Sequence, residues 1–182
     1  MFTLKVDQDI ELQLFQLKDC RALFNLVDQN RHHLRQWLPW VDDMASHYQY
    51  ETIIPMWLKQ FAENNGFNAG IRYRGQLVGC IGMHFIDWRN RQTSVGYYLA
   101  EQAQGKGIMV RSVQAVLNYA FYDLGLNRVE IRCGEHNLKS RAIPVRLGFA
   151  LEGKIRDGEL LHTGFHDLIV YGILARDWKK LM

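Results

Sequence analysis

A chain of 182 residues with 48% hydrophobic and 23% charged side chains has the make-up of one folded domain, not of a disordered tail, a collagen-like fibre or a disulfide scaffold. No apolar run approaches the ~20 residues of a membrane span, so no membrane partner is expected. The net charge of +3, from 22 basic and 19 acidic residues, is too small a surplus for a nucleic-acid partner, whose binders carry a dense basic stripe.

From the N-terminus, Met1 to Asp7 meets charge before an apolar stretch can form. No signal peptide is therefore expected, and the chain reads as cytoplasmic. A first strand is expected near Glu11–Leu14. Asp19 then looks like the N-cap of a helix whose apolar face is Leu23, Leu26 and Val27. A short second helix follows from His32 to Trp37 and stops at Pro39; a third spans about Glu51 to Asn64 and closes at Asn65-Gly66. Strands over Phe67–Tyr73, Gln76–Ile86 and Gln92–Leu99, joined by close polar turns, make an antiparallel meander.

Gln104-Gly105-Lys106-Gly107 leads into a helix over Ile108–Leu124, where Met109, Val113, Val116, Leu117 and Ala120 recur at helical spacing before Gly125. Arg128–Cys133 alternates Val129, Ile131 and Cys133 on one face and reads as a strand. A helix over 138–146 and two strands, Phe149–Leu161 and His166–Ala175, complete the chain. The order strand, glycine loop, helix, strand requires a parallel crossover. The fold class is α/β: a mixed, mostly antiparallel sheet with a central parallel strand pair, flanked by helices, in one domain over 1–182.

The Gly105–Gly107 loop is the most informative chemical feature. Glycines permit close backbone approach, and the helix behind them offers unpaired N–H groups to an anion, most often phosphate. From the loop alone, an anion site and a ligand-free turn weigh equally. A P-loop is excluded because Gly107, not a hydroxyl residue, follows Lys106; a dinucleotide fingerprint is excluded because Val110 stands where a third glycine is needed. Cys20, Cys80 and Cys133 are odd in number and widely spaced, so neither disulfides nor a thiolate metal site are expected. His162 and His166 flank a turn without a third ligand, and no metal is expected there either.

Gln102-Ala103-Gln104-Gly105-Lys106-Gly107 resembles the Gln/Arg-x-x-Gly-x-Gly signature of the GNAT acetyltransferases. Asn137-x-x-Ser140, Leu147-Gly148-Phe149 and Glu152-Gly153 match a second block, and Leu34 to Trp40 resembles the opening of the RimJ/RimL branch. The resemblance runs from about residue 8 to 176 with its blocks in order. It implies the GNAT fold and acetyl-CoA as co-substrate, with Gln104, Gly105, Lys106, Gly107, Ile108 and Asn137 among the cofactor-binding residues. It also implies a protein N-terminal α-amine, as on ribosomal proteins, for the acceptor, and a homodimer or higher homo-oligomer. The tyrosine that many of these enzymes place seven residues after the asparagine is here Pro144; Ser140 and Glu159 instead match the RimL pattern, as thiolate donor and base.

The chemistry suits that division. A carboxylate at Glu159 can accept the amine's excess proton, and a hydroxyl at Ser140 can hydrogen-bond the departing thiolate. A backbone N–H of Tyr98 or Leu99, where the strand splays, can hold the oxyanion. A helix-cap role for Ser140 and a solvated hairpin charge for Glu159 are the plain alternatives. Two rival functions stay open: acetylation of a small amine such as an aminoglycoside or polyamine, and a CoA-binding regulatory module without turnover.

Overall fold

Apolar side chains at every second position draw residues 67–99 into the centre of a sheet. In the computed structural model, which describes residues 2–181, they form β3 (Phe67–Tyr73), β4 (Gln76–Met83) and β5 (Gln92–Leu99). With β1 (Thr3–Lys5), β2 (Ile10–Leu14), β6 (Arg128–Gly134), β7 (Ala150–Leu161) and β8 (Gly164–Leu174) they build one eight-stranded sheet, ordered β1-β2-β3-β4-β5-β6-β8-β7. All neighbours are antiparallel except β5 and β6. That parallel pair is short: Gln92, Thr93 and Ser94 face Arg128, Val129 and Glu130, after which β5 has no β6 partner.

Helices α1 (Cys20–Gln29), α2 (Arg31–Leu34), α3 (Tyr50–Ala62), α4 (Ile108–Asn118), α5 (Leu138–Arg146) and α6 (Ala175–Leu181) flank the sheet. Their apolar stripes join one core that runs from Ile10 to Trp178 and includes Ile71, Ile81, Val113, Leu117 and Val129, all fully buried. Each such side chain contributes ~1.5–3 kcal/mol by leaving water. A second cluster, Val27, Leu34 and Val41, packs Leu38, Trp40 and Tyr98 and seats the α1–α2 corner against β5.

Several expectations move. β1 and α6 were not expected. α2 is one turn over Arg31–Leu34 and not a helix to Trp37. The helix over 108–124 is α-helical only to Asn118 and ends in a π-helical turn, Tyr119–Asp123. Asp19 stands at the N-cap position of α1, as expected, but its side chain makes no cap bond to that helix. It lies in a 3-10 turn, Leu17–Asp19, that begins one turn before α1; its carboxylate takes the Gln16 N–H at 2.9 Å and pairs with Arg72 at 3.0 Å. A buried charge needs such a partner, and Arg72 comes from β3, out of reach of any local pattern. Asp19→Ala should leave the Arg72 guanidinium without its carboxylate partner and lower stability by ~2–3 kcal/mol. A urea midpoint that does not move would show the pair to be inconsequential.

Candidate active site

Gly105 and Gly107 both take positive φ, 75° and 69°, a conformation that side-chain-bearing residues rarely adopt. A Cβ at either would meet open space, so the loop's outer side is clear for a ligand to approach the backbone. Gly107 is the N-cap of α4 and makes no side-chain cap bond. The first N–H groups of an 11-residue helix are thus left open, at the positive end of its dipole. This cradle suits the pyrophosphate of CoA. Ile108 is 1% exposed, so its side chain belongs to the core and only its N–H can serve a ligand.

Side chains that sequence reasoning missed hold the loop in place. Arg111 donates to the carbonyls of Lys106 at 3.2 Å and Gly107 at 3.4 Å, and pairs with Asp7 at 2.5 Å. Its spacing, one helical turn after Gly107, was the available signal. Gln104 accepts from Lys139 Nζ at 2.9 Å and lies 2.8 Å from His33 Nε2. Lysine can only donate, which directs the Gln104 amide NH2 at a neutral His33 ring; burial also lowers the affinity of that ring for a proton. Gln104 therefore links α2 to α5. Lys106 lies 5.8 Å above the Tyr73 ring.

Ser140 stands in the first turn of α5. Asn137 caps that helix, its side-chain oxygen accepting from the Ser140 N–H at 3.1 Å. The Ser140 hydroxyl donates to Cys133 Sγ at 3.3 Å, and Tyr97 Oη donates to the Ser140 carbonyl at 3.1 Å. Burial pushes both the Cys133 thiol and the Tyr97 phenol up, so both keep their protons at neutral pH. The cluster offers hydrogen-bond donors and no thiolate nucleophile.

The strand opening itself presents backbone donors. Gln92 exchanges bonds with Asp87, His84 N–H donates to Ser94 O and Ala100 N–H to Val78 O, so the even-numbered residues of β5 bond toward β4. By antiparallel alternation, the N–H groups of Val95, Tyr97 and Leu99 face the gap. Of the two expected oxyanion donors, Leu99 keeps that orientation. The Tyr98 N–H points to Cys80 on β4, and its ring packs on Trp40 at 5.6 Å between centroids.

Glu159 lies on the other face. It pairs in register with His166 on β8, two residues from Leu168, which lies opposite Gly134 on β6. A Cβ on Gly134 would come within 3.5 Å of the Trp37 ring. Gly134, Leu168, His166 and Glu159 thus share the Trp37 side of the sheet, whereas Cys133 and Ser140 share the opposite one. Glu159 is half-buried, and desolvation raises its pKa against a smaller opposing effect of His166. His162 and His166 have separate partners, Arg35 O and Thr163 Oγ1.

Comparison with known proteins identifies the family of the fold. The family model for the acetyltransferase (GNAT) domain matches residues 9–150. Bacillus subtilis (strain 168) YdaF, provisionally named a ribosomal N-acetyltransferase, is 43% identical over 180 residues, 98% of each chain. RimL, a ribosomal L7/L12 alpha-N-protein acetyltransferase solved with coenzyme A, superposes with a TM-score of 0.91 at 26% identity, over 95% of this chain and 98% of that one. The microcin C7 self immunity acetyltransferase MccE, solved with acetyl-CoA and AMP, gives 0.88 at 27% identity, over 94% and 95%. The chain is an acetyltransferase and belongs to the GNAT family.

Proposed function

We propose that this protein transfers the acetyl group of acetyl-CoA to the α-amine of a protein N-terminus, with ribosomal proteins as the favoured acceptors. The observation that carries the reading is the opening between β5 and β6. The anion cradle and Ser140 serve one face of it, and Glu159 with the Trp37 wall serves the other. The names of YdaF and RimL support the acceptor class.

In this reading the thioester supplies the acetyl group, and the chain supplies position and proton handling. Main-chain N–H groups at Gly107, Ile108 and beyond hold the pyrophosphate, with Gln104, Gly105 and Lys106 shaping the loop. Asn137 fixes the start of α5 beside it. A gap-facing N–H of β5, Leu99 or its neighbours Val95 and Tyr97, steadies the charge on the carbonyl oxygen. Ser140 hydrogen-bonds the departing sulfur, and Glu159 accepts a proton from the amine. The enzyme acts in the cytoplasm as a homodimer or higher homo-oligomer. Exposed Leu151, Leu160 and Phe165 on the β7–β8 hairpin support self-association, which sedimentation equilibrium would detect.

Matched peptides test the acceptor, one with a free terminus and one with a blocked terminus and an internal lysine. The free terminus should be acetylated at least ~10-fold faster, because a lysine brings a pKa near 10.4 and a longer stem. Preference for the lysine peptide would reject the terminal-amine reading. The likeness to MccE favours a second reading, a small-molecule acceptor. A polyamine fits less well among such acceptors: Asp42 is paired with Arg35 at 2.8 Å, so its charge is already offset and does not add to an acidic cleft.

A further inference from the structure

Where β5 and β6 part, a cavity of about 300 Å3 opens, lined by His84, Ser94, Val95, Gly96 and Arg132. Ser94 is the last β5 residue paired with β6, and Val95 is the first whose N–H faces the gap. Ser94 and Gly96 lie on the face of β5 opposite Tyr97, and Arg132 lies on the Gly134 side of β6. The cavity therefore meets the gap from the side away from Ser140. A nucleophile held in it would approach a carbonyl in the gap opposite the donor for the leaving sulfur.

His84 is built into this wall. Its N–H donates to Ser94 O at 2.9 Å, and its ring Nδ1 lies 3.0 Å from Ser94 Oγ. A Cβ on Gly96 would stand 2.7 Å from ring atom Cε1 and 2.9 Å from Nε2, so the absence of a side chain at 96 is what lets the ring lie over β5. With Nδ1–H donated to Ser94 Oγ, the Nε2 lone pair is left for a ligand.

We propose that His84, within the transferase function proposed above, takes the ammonium proton from the incoming amine. An α-amine has a reference pKa of ~7.7–8.0 and so arrives largely protonated at neutral pH. Acetylation must strip two protons from its nitrogen, and the groove offers two acceptors. His84 Nε2 takes the first. The freed lone pair forms the C–N bond, the C–S bond breaks with its electron pair on sulfur, and Glu159 takes the second proton. Ser140 gives its hydroxyl proton to the thiolate and regains one from solvent, His84 and Glu159 both discharge to solvent, and the net release is one proton per acetyl group transferred.

The electrostatics agree with that role. Arg132 on β6 is the charged residue that lines the same cavity, itself tied to Glu130 at 2.5 Å; from β5 the ring meets Ser94 and lies over Gly96, neither of them charged. Crowding by protein atoms lowers the ring's affinity for a proton, which keeps it neutral and able to accept one near pH 7.

Two variants test this: His84→Gln, and Gly96→Ala, which displaces the ring without removing it. Rates are followed against pH with a short peptide beginning with serine. In both variants the acid limb of kcat/KM should move up toward the amine's own pKa, with a loss of ~10²-fold near pH ~6.5 that shrinks to a few-fold above pH ~9.5. Glu159→Gln should instead lower the rate across the range. Variant profiles parallel to the parent would overturn the assignment. Histidine-ring NMR gives a second readout that needs no acceptor: saturating acetyl-CoA should shift the His84 signal. If the Gly105 and Gly107 amides shift and His84 does not, His84 is ruled out and the transferase reading stands. If neither shifts, the CoA-binding reading fails and takes this inference with it.

Discussion

Gly107→Val should weaken acetyl-CoA binding by ~10²-fold or more, because it removes the cradle in two ways at once. At φ 69° a β-branched side chain is strained. Its bulk would also occupy the open space through which a phosphate reaches the first N–H groups of α4. Lys106→Ala should change affinity only a few-fold, since it removes one solvent-screened charge from a site made of main chain. Strain alone is controlled by Gly125→Val, which meets a similar φ of 65° at the far end of the same helical run. That variant should lose stability yet keep its affinity for the cofactor. Calorimetric titration of all three decides the matter; parent-like affinity in Gly107→Val would remove the cofactor from this loop.

Glu159→Gln should lower turnover by ~10²-fold at neutral pH while leaving cofactor affinity within a few-fold, and Ser140→Ala by ~10-fold. Glutamine keeps the size of the side chain and cannot take a proton. The sign of the pH effect follows from burial, which raises the Glu159 pKa above the ordinary value of a glutamate. The accepting carboxylate is therefore lost on acidification sooner than an exposed glutamate would be. A raised folded-state pKa also means that stability present at low pH is lost as pH rises through it. Glu159→Gln should then be at least as heat-stable as the parent at neutral pH while nearly inactive. Normal turnover with the true acceptor would show that Glu159 is not the base.

The parts of this site differ in how far local sequence reveals them. Alternation defined β3 and β5 to the residue, Gly125 marked the end of the α4 run, and the Gly105–Gly107 spacing located the cradle, because each is a short-range pattern. Asp19 stands at the head of α1, where its capping preference puts it, yet its carboxylate turns to a tertiary partner, Arg72, instead of capping the helix. Tyr98 looked like a donor into the gap until the β4–β5 register set which way its N–H points. Parity along a strand is invisible until the pairing is known, since a slip of one residue exchanges the faces. Hidden for the same reason were His84, which depends on the missing side chain at Gly96, and the His33–Gln104–Lys139 bridge, which joins residues 71 and 35 positions apart. Ser140 lies in the first turn that its plain alternative assigns to it: its N–H completes the Asn137 cap, and its hydroxyl donates to Cys133.

In the proposed reaction, a groove on the Trp37 face delivers a protein N-terminus to an acetyl donor held on the α4–α5 face. Intact-mass analysis of acetyl-CoA reactions tests it most directly, with ribosomal-protein N-terminal peptides offered alongside aminoglycosides and polyamines. The expected result is the gain of one acetyl group on the terminal amine of a peptide with a small first residue, abolished by blocking that terminus. Acetylation of the small amines alone, or tight CoA binding with no acetylated product from any amine, would contradict it.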